Sequence, residues 1–217
     1  MAKDGWEGGG RTPLHYAARS CAPDVIKLLL TSAKESASIR DENGSVPLYF
    51  AVESWEQQKH SEYIIRLLLL HYPGGALIRG WGGRTALHMA VVLAAPLPIV
   101  KEILSLGGTA GTKQADGAGK EPLHYAVALK GAKATAYIDV IKLLLKQNTA
   151  SASHADKEKR LPLDLAVEAK APLKTILALD EAYPAAANAK SWTRVHLAAM
   201  VNAPRNEPCR LTNTETR

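Results

Sequence analysis

Three histidines stand three residues after a threonine: His15 after Thr12, His88 after Thr85 and His196 after Thr193. An imidazole that can draw a proton from a neighbouring hydroxyl is the core of nucleophilic catalysis. Imidazole nitrogens are also the commonest zinc ligands, bound about 2.0–2.1 Å from the metal. Seven histidines in one chain make both readings worth testing. The remaining signatures of chemistry are missing. The chain has neither a Gly-x-Ser-x-Gly elbow nor a phosphate-binding Gly-x4-Gly-Lys-Ser/Thr loop. The glycine runs at 7–11 (EGGGR) and 80–84 (GWGGR) lack the following lysine. His60, His71 and His154 have no ligand-type neighbour at metal spacing.

The surroundings of His15 recur. TPLHYAA at 12–18 is followed by VPLYFAV at 46–52, TALHMAV at 85–91, EPLHYAV at 121–127, LPLDLAV at 161–167 and TRVHLAA at 193–199. Their fourth positions, residues 15, 49, 88, 124, 164 and 196, are spaced by 34, 39, 36, 40 and 32 residues. An apolar pattern follows each of the first five copies: VIKLLL at 25–30, IIRLLL at 64–69, IVKEIL at 99–104, VIKLLL at 140–145 and LKTIL at 173–177. Two patterns in fixed order at a period in the mid-thirties specify a repeat architecture.

Each unit reads as a pair of helices. Thr12 occupies an N-cap position, where its hydroxyl can accept from a free backbone N–H. Pro13 follows at the first helical position, where a missing N–H loses nothing. His15 falls at the third, from which a capping-box side chain reaches back to the cap. Leu14, Ala17 and Ala18 form a packing face. The second helix carries one apolar stripe, as in Val25, Ile26, Leu29 and Leu30. Segments such as ENGS at 42–45 and DGAGK at 116–120 suit tight turns.

The TPLH motif, the paired helices, the Asp-x-x-Gly turns (Asp41 to Gly44, Asp116 to Gly119) and the period together resemble the ankyrin-repeat family, over about residues 8–200. The resemblance implies an all-α solenoid of stacked helix–turn–helix units with β-hairpin-like finger loops. It also implies protein binding through the fingers and first helices, without catalytic residues. We expect an array over 1–203, with units near 8–41, 42–80, 81–116, 117–156 and 157–188, a partial unit at 189–203, and a polar, disordered tail at 204–217. The fifth unit departs from the pattern, with Leu161 at the cap, Asp164 in place of histidine, and a turn (DKEKR) without glycine.

Repetition changes the reading of the histidines. Stacked units hold equivalent positions on the order of 10 Å apart, the spacing of packed helices. His15, His88, His124 and His196 therefore cannot meet at one ion. With Thr12, Thr85, Asp164 and Thr193 they are expected to be structural caps. No catalytic residue, cofactor or metal is expected.

Candidate partner contacts come from two other patterns. Arg11, Arg84, Lys120 and Arg160 hold the slot just before the motif, and would line up as a basic column. Trp6, Trp81 and Trp192 fall in the finger segments, and Trp55 in a long link between helices. Arginine and tryptophan dominate binding hot spots. Net charge of +6 and a pI near 9.3 bear on partners rather than fold. An acidic protein segment fits such a column. Nucleic acid fits less well, because no recognition helix or stacking platform accompanies it. The alternative is a targeting or substrate-recruiting segment of a longer enzyme. Cys21 and Cys209 are too far apart in sequence to suggest a disulfide framework or a zinc site. The N-terminus has no signal-peptide pattern, and the most apolar run, 87–100, is interrupted by Pro96 and Pro98. We expect a monomer in the cytoplasm, with the nucleus as the alternative, and no membrane insertion.

Overall fold

The computed structural model describes residues 9–189 apart from Cys21, Gln58 and Lys59. The partial sixth unit, with Thr193 and His196, the tail at 204–217, Trp6 and Trp192 lie outside the described residues.

Five helix pairs follow one another. They are α1 (Pro13–Ser20) with α2 (Pro23–Ser32), α3 (Pro47–Glu53) with α4 (Ser61–His71), and α5 (Ala86–Val92) with α6 (Leu97–Gly107). Then come α7 (Pro122–Val127) with α9 (Ile138–Gln147), and α10 (Pro162–Glu168) with α11 (Leu173–Ala182). A one-and-a-half-turn helix, α8 (Gly131–Ala136), sits in the link of the fourth unit, and α12 (Pro184–Ala189) follows the fifth. Proline opens four of the five first helices, where its fixed φ suits the first turn.

First helices pack on first helices, in the order α1, α3, α5, α7, α10, and second helices pack in the order α2, α4, α6, α9, α11. The result is an all-α stack of helix pairs. One position shows how the motif builds the core. Leu14, Leu48, Leu87, Leu123 and Leu163 are all buried, each against its unit's second helix and its neighbours. The alanines that follow, such as Ala18, Ala51, Ala90, Ala126 and Ala166, are also buried. Small residues there let the short helices approach closely, and the apolar core runs continuously through the units.

Two features go beyond the sequence pattern. Each of the first four second helices is followed by a short 3₁₀ turn (Lys34–Ser38, Pro73–Leu77, Thr109–Lys113, Thr149–Ser153). The links inside units also fall into two kinds. In units one, three and five the first helix ends on an identical bond: Ala22 N–H to Ala17 O, Ala95 N–H to Ala90 O, and Ala171 N–H to Ala166 O. Ala94 and Lys170 take positive φ there (53° in each case), the left-handed position of a helix C-terminus. Units two and four instead insert the 3₁₀ turn Trp55–Gln57 and α8.

The expected β-hairpin fingers are tight turns, and no strand occurs among the described residues. Asp41 N–H donates to Ser45 O and Gly44 N–H to Asp41 O, both at 2.9 Å. The same two bonds close the turns at 80–84, 116–120 and 156–160. The aspartate side chain completes them: Asp116 Oδ1 accepts from Ala118 N–H at 2.8 Å and Lys120 N–H at 3.0 Å. Asp41 and Asp156 do the same in their turns. Main-chain bonds also join successive turns, from Glu42 N–H to Gly9 O and from Gly117 N–H to Gly82 O, at 2.9 Å each. That approach needs glycine, because a Cβ on Gly83 (φ 73°) would lie 2.9 Å from Gly117 N. Where DKEKR lacks glycine, Lys159 itself adopts φ 64°.

Candidate interaction surface

The histidines are saturated with structural bonds. Thr12 N–H donates to His15 Nδ1 at 3.0 Å, Thr85 N–H to His88 Nδ1 at 3.2 Å, and Glu121 N–H to His124 Nδ1 at 3.1 Å. An amide can only donate, so each Nδ1 holds the lone pair and each Nε2 carries the proton. Those Nε2–H groups donate to carbonyls of the next turn region: Ser45 O at 3.1 Å, Lys120 O at 3.0 Å and His154 O at 3.0 Å. Each ring therefore caps its own helix with one nitrogen and ties the unit to the next turn with the other. Burial pushes all three imidazoles below their ordinary pKa. The Thr12 and Thr85 hydroxyls also lie 2.9 Å from His15 Nδ1 and 2.8 Å from His88 Nδ1, and there the hydroxyl donates, so neither nitrogen is left for a metal.

Cap chemistry varies along the array. Thr85 Oγ1 also accepts from His88 N–H at 3.4 Å, whereas His15 N–H goes to Thr12 O. In the fifth unit Asp164 Oδ2 accepts from Leu161 N–H at 3.0 Å, and leucine returns no bond. In the fourth, Glu121 Oε1 accepts from His154 Nδ1 at 2.6 Å. His154 is thereby bound to a carboxylate thirty-three residues away, which chain spacing did not reveal.

The basic slot is not an open column. Arg11 Nε lies 3.5 Å from Asp41 Oδ2, and its guanidinium sits 4.7 Å from the centre of the Phe50 ring. Arg84 repeats the arrangement one pair of units later: Nε is 3.5 Å from Asp116 Oδ2, and the guanidinium is 5.1 Å from the Tyr125 ring. His15 meets Phe50 edge-on at 5.5 Å, and His88 meets Tyr125 edge-on at 6.2 Å. Arg and His from one unit thus grip Asp and an aromatic ring from the next. At the interface between units one and two, and again between three and four, the same quartet is used. Tyr125 O–H also donates to Asp116 Oδ2 at 2.6 Å. Burial would raise the Asp116 pKa, but the bonds from Tyr125, Lys120 and Ala118 outweigh it and hold the carboxyl below its ordinary value. Lys120 lies 5.6 Å from the Tyr125 ring centre, and Arg160 is bound by Asp156, Glu158 and Glu168.

The tryptophans part company. Trp81 starts the 3₁₀ turn Trp81–Gly83 and is 65% exposed. It borders a cleft of about 270 Å³ lined also by Arg11, Asp41, Tyr49, Phe50, Glu53 and Met89. Trp55 is half-buried against the core, and its Nε1 is buried without a hydrogen-bond partner. The two candidates therefore face different surroundings, one open and one closed.

Among the described residues no group of three or more His, Cys, Asp or Glu side chains is placed to hold a metal ion. None of the described helices is long and apolar enough to cross a membrane.

A family model described as ankyrin repeats (3 copies) matches residues 2–78. No curated protein matches the chain. Ankyrin repeats are generally protein-interaction modules, and the family is typically non-enzymatic.

Proposed function

We propose that this ankyrin-repeat chain is an interaction module that binds a protein segment across its turns and first helices, without catalysis of its own. The observation that carries this reading is the 65% exposure of Trp81 beside a cleft built from three successive units. An open tryptophan next to buried aromatic rings can anchor one large apolar side chain. The cleft is lined by both signs of charge, Arg11 and Arg19 with Asp41 and Glu53. Since Arg11 and Arg84 are engaged by aspartates, the partner we favour is not chosen by bulk acidity. It is a segment with one apolar anchor flanked by polar residues. The cytoplasmic placement rests on the two widely spaced cysteines and remains part of the same proposal.

The test is an affinity purification from native extract with the wild type and Trp81→Ala, each checked by thermal melting. The reading expects an unchanged melt and loss of at least one specific partner. If every partner survives in a folded Trp81→Ala protein, the site is elsewhere.

A further inference from the structure

In α4, α6 and α9 the second helix buries one pair of apolar positions, and in α11 the pair is Thr175 and Leu179. Ile64, Ile99 and Val140 are 0%, 3% and 2% exposed, and one turn on Leu68, Ile103 and Leu144 are equally buried. Each belongs to a helix that packs on the previous second helix: α4 on α2, α6 on α4, α9 on α6. In α2 the same positions are Val25 and Leu29. Val25 is 48% exposed, neighbouring Leu28 is 66% exposed, and Leu29 is only half-buried. The first helix agrees. Phe50, Met89 and Leu165 are buried and Tyr125 is half-buried, whereas the equivalent Tyr16 is 37% exposed. Between them lies a groove of about 800 Å³ lined by Pro13, Tyr16, Ala17, Ala22, Val25 and Leu29, with Arg19 and Glu53 at its rim. Contiguous apolar surface of this kind marks an interaction site.

We propose that this face docks an amphipathic α-helix of a protein partner, laid along α2 in the place that a preceding second helix takes in later units. The argument is continuity with an interface that the described second helices already make four times over, α2 with α4, α4 with α6, α6 with α9 and α9 with α11. At each of those interfaces one α-helix packs on another, and the preceding helices bury apolar residues such as Ile26 and Leu30 of α2 in the common core. The complementary partner carries apolar residues at i, i+3, i+4 and i+7. Lys27 and Asp24, at the edge of α2, then meet its polar flanks. This site lies at the end of the described stack; it shares Arg19 and Glu53 with the Trp81 cleft, but its apolar lining, Val25 and Leu29 with Tyr16, is its own.

The experiment uses the full chain and a fluorescein-labelled synthetic 20-residue peptide with leucines at i, i+3, i+4 and i+7 and Lys/Glu elsewhere. A scrambled peptide without the stripe is the control. Fluorescence anisotropy is expected to show saturable binding of the striped peptide only. The double variant Val25→Glu, Leu28→Glu should weaken it by at least about tenfold, the loss of a hot-spot contact, while Trp81→Ala leaves it unchanged. Both substituted side chains are open to solvent, so the double variant should melt with the wild type. If it does not, Leu28→Lys alone serves as the probe. Absence of saturable binding, or binding that is insensitive to these changes in a folded protein, overturns the proposal. So does a wild-type dimer in sedimentation that the double variant dissociates, which gives the face to a second copy. A roughly tenfold gain in peptide affinity on Trp6→Ala would give it to residues 1–8 instead.

Discussion

His88 Nε2 lies 3.0 Å from the carbonyl oxygen of Lys120, thirty-two residues further along the chain. The same ring receives the Thr85 N–H on Nδ1 at 3.2 Å. A side chain with the makings of a general base is thus a bracket between units three and four. The stability of a repeat array is approximately a sum of unit terms and nearest-neighbour interface terms. His88, Arg84, Asp116 and Tyr125 all enter the interface term. Chemistry-bearing residue types serve cohesion here, and the proposed recognition falls to Trp81 and the apolar end groove.

Replacing His88 by alanine should therefore lower unfolding free energy by roughly 2–4 kcal/mol. The buried Thr85 N–H loses its acceptor, at about 1–3 kcal/mol before relaxation. Lys120 C=O keeps Asp116 N–H and loses only its second donor, and the rest is the cavity left by the ring. Thr85→Ala removes less, about 0.5–2 kcal/mol. Urea unfolding followed by far-UV circular dichroism measures both. A His88→Ala loss no larger than that of Thr85→Ala would mean that the bond to Lys120 contributes nothing.

Stability should also fall in mild acid. His15, His88 and His124 have folded-state pKa values lowered from 6.5, chiefly by burial. Below pH 6.5 the unfolded chain takes up protons at these sites that the folded chain resists. Their contribution is complete above that pH, and is lost as pH falls through the lower folded values. Asp116 and Asp156 are lowered from 3.8, so their contribution persists until pH drops below that value. Urea midpoints at pH 7.5, 6.0 and 5.0 should decrease in that order while the carboxylates remain ionised. Equal midpoints would contradict the neutral, doubly bonded rings.

The stacked helix pairs were legible because the described units repeat leucine and alanine at fixed positions, four of the five with proline before them, and burial follows those positions closely. The caps were legible for a similar reason, since a cap and its helix lie within four residues. What joins the units was not. Arg11 reads as a free cation until Asp41, thirty residues on, is folded beside it. His154 reads as a loop residue until Glu121 is brought within 2.6 Å. Trp55 in its link and Trp81 in its finger both read as partner contacts, and only packing shows one half-buried and the other open. The 3₁₀ turns were missed because Lys34–Ser38 and Thr149–Ser153 carry no periodic pattern of their own.

The glycine-free turn offers a gain. Lys159 holds φ at 64° in the position that Gly44, Gly83 and Gly119 hold elsewhere. A left-handed conformation costs a side-chain-bearing residue about 1–2 kcal/mol, and part of that relief is offset by the extra freedom glycine gives the unfolded chain. Lys159→Gly should raise stability by roughly 0.5–1 kcal/mol, read as a higher melting temperature with the helical signal unchanged. A lower melting temperature would show that lysine is not strained there.

The sharpest test of interface logic concerns Ser45 and Gly80. They hold the same two slots, slot residue and next turn residue, that Arg11–Asp41 and Arg84–Asp116 fill with ion pairs. A Cβ on Gly80 would lie 2.3 Å from Ser45 Oγ, 3.1 Å from its Cβ and 3.3 Å from its Cα. Gly80→Asp alone should therefore destabilise the protein by about 1–3 kcal/mol through overpacking. With Ser45→Arg added, the slot gains the cation that the aspartate binds elsewhere, and much of the loss should return. A double-mutant cycle by urea unfolding should give a favourable coupling of roughly 0.5–3 kcal/mol, the range for residues in contact. Strict additivity would show that the arginine–aspartate grip depends on the aromatic ring of the following helix as well. In that case Met89, which occupies that ring's position in unit three, is the next residue to change.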